Sequence, residues 1–165
     1  MVNFLEHDVC EGEGMAIRRM KAISDGDKTA ILRELKSFLS HREEVVFALL
    51  YGSMVAPVVP ERYGDIDVAI YIESGHLKRP EYVLESEIEA QIYSLLSSRG
   101  LNLAPLEVRV INQAPCSFLI QLFKGNYEVL KENDERLTDF IEEVGRKSMA
   151  NSYLRFESLR EVAEG

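Results

Sequence analysis

A chain of 165 residues suits one domain, because single cores use about 100–150 residues, and leaves little room for a separate substrate lobe. With 46% hydrophobic and 28% charged residues it has the makings of a real core, which excludes a disordered polyelectrolyte. Nineteen basic against 28 acidic side chains give a net charge of -9, which argues against general binding to DNA or RNA.

Residues 1–27 hold Glu6, Asp8, Glu11 and Glu13 beside Gly12 and Gly14, show no sustained period, and read as an N-terminal arm. Over 28–39 the apolar positions Ile31, Leu32, Leu35, Phe38 and Leu39 recur at three and four residues, an amphipathic helix for which Asp27 is the expected cap. The unbroken run 45–51 is short and rich in β-formers, as a strand covered on both faces should be, and 66–72 is a second such run. Between them Pro57 and Pro60 forbid a long helix. Pro80 opens and Gly100 closes a helix carrying Leu84, Ile88, Ile92, Leu95 and Leu96. A third strand is expected over 106–111, then a short helix over 114–123, an extended piece over 127–130, and a polar-apolar stretch from Asp134 interrupted near Gly145. The sum is a mixed α/β (α+β) domain with one small sheet. Cys10 and Cys116 lie too far apart to suggest a disulfide framework or thiolate zinc site. No apolar run approaches the ~20 residues of a membrane span, so a cytoplasmic protein is expected.

Chemistry concentrates in Tyr51-Gly52-Ser53 and Asp65-Ile66-Asp67, the second pair of acids entering a strand. Alternate strand residues share a face at roughly 6.6 Å, so Asp65 and Asp67 can converge on one divalent cation. Mg²⁺ suits such a rim, since it takes one or two carboxylates and fills its octahedron with water and phosphate oxygens. Gly52 lets the backbone approach a ligand closely, and Ser53 with the amides of the turn can hold phosphate oxygens. Glu107, on the third strand, is the candidate third carboxylate of a two-metal site. Each piece alone has a plainer reading: Asp-x-Asp as a solvated strand end, and Glu107 as an outward residue paired with Arg109 on the same face. The ordered combination favours phosphoryl-transfer chemistry. His7, His41 and His76 have no catalytic neighbours in sequence and are expected at the surface.

These residues, with Leu106-Glu107-Val108-Arg109-Val110-Ile111-Asn112, Ala114-Pro115 and Gly125-Asn126-Tyr127-Glu128-Val129-Leu130, resemble the minimal nucleotidyltransferases of the DNA polymerase beta-like superfamily. More narrowly, the chain is similar to the antitoxin-type members paired with HEPN-domain toxins. The resemblance covers roughly residues 28–130, a nucleotidyltransferase domain to which 131–165 would add a C-terminal helical extension. It implies a small mixed sheet flanked by helices, ATP as substrate, two Mg²⁺ ions, and transfer of AMP to a tyrosine of the partner toxin. Carried over, Asp65, Asp67 and Glu107 would be catalytic metal ligands, Glu107 also a base toward the incoming hydroxyl, and Gly52 and Ser53 would hold the triphosphate. The branch commonly has Asp where Glu107 stands, its spacer between the two motifs is about one residue shorter, and relatives often carry an arginine where this chain has Met54-Val55-Ala56-Pro57. Arg62 is expected to supply that charge.

The HEPN signature Arg-x4-6-His is absent, which makes this chain the transferase half of such a pair. The stretch from Asp134 is either another packing helix or a partner-binding or dimer-forming surface built from Phe140, Ile141, Val144, Tyr153, Phe156 and Leu159. Two other functions compete: a degenerate module that neutralises its partner by contact alone, and a small-molecule nucleotidyltransferase, which usually needs a second domain.

Overall fold

The computed structural model describes residues 23–55 and 65–164, with side chains through Leu154. Within them the chain runs α1 (Asp25–Ser40), β1 (Val45–Tyr51), β2 (Ile66–Ile72), α2 (Glu81–Ser98), β3 (Leu106–Val110), α3 (Cys116–Lys124), β4 (Tyr127–Lys131) and α4 (Asp134–Glu164). The four strands form one mixed sheet in the order β3-β2-β1-β4. β1 pairs antiparallel with β2 and β4, while β2 and β3 are parallel, as the intervening α2 crossover requires. The result is the small mixed sheet flanked by helices that the sequence implied.

Strand parity sorts the apolar residues onto two faces. Ala48, Leu50, Ile66, Val68, Ile70, Val108 and Val110 point to one side and meet Ile31, Leu35 and Leu39 of α1 and Leu84, Ile88, Ile92 and Leu96 of α2. Phe47, Leu49, Ala69 and Ile111 point to the other and meet Leu119 and Leu122 of α3 and Leu137, Phe140 and Val144 of α4. β1 is therefore buried on both faces, which is why its sequence reads as a continuous apolar run.

β3 is an edge strand, and α2 protects its outer side. Glu85 accepts the backbone N–H of Val110 at 2.8 Å and Glu89 that of Val108 at 3.3 Å. Those N–H groups would otherwise be open to pairing with another chain. Past the end of β3, Asn112 continues the ladder with its side chain, bonding the N–H and C=O of Ile72 at 2.9 and 2.8 Å.

Three expectations are corrected. α1 starts three residues earlier than expected, because Ser24 rather than Asp27 is its cap and accepts the Asp27 N–H at 3.1 Å. α4 is unbroken at Gly145, where a side chain would meet open space and a helical glycine costs only about 1 kcal/mol. Phe140 and Val144 do not form a partner-binding surface: they are core residues under the sheet, and Ile141 packs partly buried against the same cluster. Tyr153 is exposed, and the side chains of Phe156 and Leu159 lie outside the described residues. The arm residues 1–22 lie outside them too, as does His7, while His41 and His76 are exposed as expected. Among the described residues no helix is long and apolar enough to cross a membrane.

Candidate active site

The end of β1 and the starts of β2, β3 and β4 lie side by side at one end of the sheet. Register aligns Tyr127 with Tyr51, Tyr51 with Asp67, and Asp67 with Glu107, so these four form a row across all four strands. All four belong to the face that α3 and α4 cover farther along, and Asp65 shares the parity of Asp67. Directly bonded strands are about 4.8 Å apart, which places Glu107 beside Asp67 at its backbone. Sequence separations of two and forty residues thus become one carboxylate patch.

Gly52 begins a short 3-10 turn, Gly52–Met54, with φ of +74°, a region that strongly favours glycine. A Cβ there would lie 2.3 Å from Oδ2 of Asp67, far inside van der Waals contact. The missing side chain therefore makes room for the Asp67 carboxylate against the backbone, besides any ligand. The Ser53 hydroxyl donates to the backbone carbonyl of Asp65 at 3.2 Å, tying the turn to the start of β2.

Electrostatics mark the patch as one in which burial and mutual repulsion outweigh the counter-charge of Arg109. The Asp67 carboxyl is pushed above its ordinary range, first by burial and then by the charges of Asp65 and Glu107, with Arg109 pulling it back. The Tyr51 phenol is raised to about 12 by burial and by Asp67, against Arg109. A divalent cation at Asp65 and Asp67 would offset these repulsions, and two carboxylates plus phosphate oxygens are a sufficient set for Mg²⁺. The donor chemistry fits the metal.

Glu107 is differently engaged. Its Oε1 takes a bond from a guanidinium nitrogen of Arg109 at 2.7 Å, the pairing that the strand parity anticipated. Among the described residues no three acidic, imidazole or thiol side chains form a ready metal cage. Arg62, expected at the phosphates, lies outside the described residues.

Tyr51 and Gly52 also line a cavity of about 330 Å³ with Phe118, Gln121, Leu122, Gly125 and Asn126. Its wall is aromatic: Phe118 meets Tyr51 edge-on with centroids 5.9 Å apart, and the Arg109 guanidinium lies over the Phe118 ring, 4.8 Å from its centroid. The sequence reading missed this cavity. Tyr51 could have been placed by its parity with Leu49, but Phe118 and Gln121 arrive on α3 through tertiary packing that leaves no local signature.

A four-stranded mixed sheet with a Gly-Ser turn facing Asp-x-Asp defines a nucleotidyltransferase-type domain. The family model described as polymerase beta, nucleotidyltransferase, matches residues 33–136, and the chain belongs to that family. Among solved structures, the chain is similar to one titled as the toxin-antitoxin MntA-HepT, at 12% identity and TM-score 0.53, covering 84% of this chain and 98% of that one. A structure titled as the toxin-antitoxin with AMP-PNP aligns at 14% identity and TM-score 0.57, covering 82% and 97%. A chain from Shewanella oneidensis aligns at 13% identity and TM-score 0.54, covering 84% and 98%. At these identities the likeness concerns the fold. A search of curated proteins gives no match.

Proposed function

We propose that this protein is an antitoxin-type nucleotidyltransferase, which transfers AMP from ATP to a tyrosine hydroxyl of a HEPN-type toxin in a Mg²⁺-dependent reaction. The observation that carries the reading is the seat of Asp67 against Gly52, in line with Asp65, beside a cavity large enough for a nucleoside. Family membership and the toxin–antitoxin and AMP-PNP titles of structural neighbours support it.

Asp65 and Asp67 would hold Mg²⁺, which when bound would neutralise phosphate charge and stabilise the leaving pyrophosphate. Gly52 and Ser53 present the turn to the triphosphate, with Arg62 as a further cation. The base and ribose lie against Phe118 and Tyr51 in the cavity, with the Gln121 and Asn126 amides at its rim. The acceptor oxygen bonds to the α-phosphorus as the bond to the bridging oxygen of pyrophosphate breaks. Glu107 takes the proton of the acceptor hydroxyl and completes the carboxylate set.

The test is incubation with labelled ATP and a co-encoded protein carrying Arg-x4-6-His. Label should appear on that protein, and Asp65→Asn or Asp67→Asn should abolish it while leaving the chain folded. Full labelling by the double variant would remove the mechanism. The Glu107–Arg109 ion pair favours a second reading, neutralisation by contact alone; in that case the Asn variants would still silence the partner and truncation after Leu130 would not.

A further inference from the structure

Arg109 occupies a position that the mechanism above leaves unexplained. It stands two residues beyond Glu107 on the same face of β3, and its neighbour across the strand pair is the buried Ala69. Its guanidinium touches Glu107 on one side and lies on Phe118, in the wall of the cavity, on the other. Its charge reaches both Asp67 and Tyr51. None of Gly52, Ser53, Met54 and Val55, the turn proposed to face the polyphosphate, is itself cationic.

We propose that Arg109 is a latch: it occupies the Glu107 carboxylate until a nucleotide polyphosphate arrives, then passes its guanidinium to the phosphate and frees Glu107 to join Asp65 and Asp67 in holding the metal. The inference rests on reading the site as a nucleotidyl-transfer centre. Three features make the exchange inexpensive. The ion pair is about half exposed on both sides, 42% for Arg109 and 50% for Glu107, and exposed pairs of this kind are weak. Phosphate offers the same planar fork a doubly matched, more highly charged acceptor. Stacking on Phe118 keeps the guanidinium at the cavity wall, so the change of partner needs rotation of a side chain rather than movement of a strand. Arg109 is in this sense a positioning residue for Glu107 and a binding residue for the phosphates.

Opposite shifts of metal and phosphate affinity test the latch, measured on the full chain by calorimetry with Mn²⁺ alone and with inorganic triphosphate alone. Arg109→Gln should tighten Mn²⁺ by about 2- to 5-fold, as Glu107 is freed from a weak pair. It should weaken triphosphate by about 10- to 100-fold, the loss of a charge-assisted bond. Simple removal of a positive charge would give the same signs, so the deciding comparison is made in a Glu107→Gln background. There the Mn²⁺ gain from Arg109→Gln should shrink to the part due to charge alone, because no carboxylate remains to release. A gain of undiminished size in that background overturns the latch and leaves the transfer reading standing. Wild-type protein that binds neither Mn²⁺ nor triphosphate would overturn both. Arg109→Lys keeps the charge but loses the fork and should give the same directions at smaller size, which serves if the Gln variant does not fold.

Discussion

Replacing Gly52 by alanine perturbs the site through one added carbon, and its cost has two separable parts. Left-handed backbone at φ of +74° costs an L-residue about 1–2 kcal/mol. The new Cβ also stands 2.3 Å from Asp67 Oδ2. The carboxylate must swing off its rotamer, at about 0.5–1.5 kcal/mol. The total of roughly 1.5–3.5 kcal/mol should lower Tm by roughly 3–14 °C for a domain of this size. A double-mutant cycle with Asp67→Ala separates the parts, since removing the carboxylate abolishes the overlap and leaves only the backbone term. Thermal melts of the four proteins, run in chelator, should show Gly52→Ala to be milder by about 0.5–1.5 kcal/mol in the Asp67→Ala background. Equal cost in both backgrounds would refute the idea that Gly52 is there to seat Asp67. Metal binding adds a second readout: Gly52→Ala should weaken Mn²⁺ as it displaces one ligand, while folding persists.

Asp67→Asn should raise Tm at neutral pH in chelator although it removes metal binding. The Asp67 carboxyl lies above its ordinary value of 3.8 in the fold. Between that value and its folded pKa the folded chain holds a proton that the unfolded chain has lost, so stability falls as pH rises through the interval. The advantage of the Asn variant should therefore be full above the folded pKa and shrink toward acid; a variant less stable at pH 7 would contradict the crowding of charge around Asp67. Tyr51 should resist ionisation to about pH 12, and spectrophotometric titration of wild type against Tyr51→Phe isolates it. In Asp67→Asn this phenol should titrate lower. Phe118→Ala should weaken ATP by a larger factor than inorganic triphosphate, as seen in competition binding, if the cavity receives the nucleoside and Phe118 only supports Arg109 at the phosphates. Glu85→Ala would leave the Val110 N–H unpaired and should destabilise by about 1–3 kcal/mol, with increased self-association by light scattering as the β3 edge opens.

The sheet was legible in the sequence because burial on both faces of β1 and β2 leaves continuous apolar runs, and α2 because it carries its own Pro and Gly punctuation. The start of α1 was misplaced because Ser24 and Asp27 are both good caps, and only the folded backbone decides between them. The polar stretch after Asp134 hid a core contribution: Leu137, Phe140 and Val144 keep helical spacing, but what they pack against is not written locally. At the site, Asp65, Asp67 and Glu107 could be selected by residue type and strand parity. The pairing register that aligns Glu107 with Asp67 is a property of strands joined through a whole helix, so it emerged only with the structure.

Because the acids sit in a cross-strand line, slipping β2 by one residue against its neighbours would turn Val68 into the polar patch and send Asp67 into oil. Misaligned conformers of this protein are thus not weaker catalysts but inert ones. Under the proposed function, nucleotide binding after dilution from denaturant would then count correctly threaded molecules directly, so the proposed substrate would double as a gauge of refolding yield.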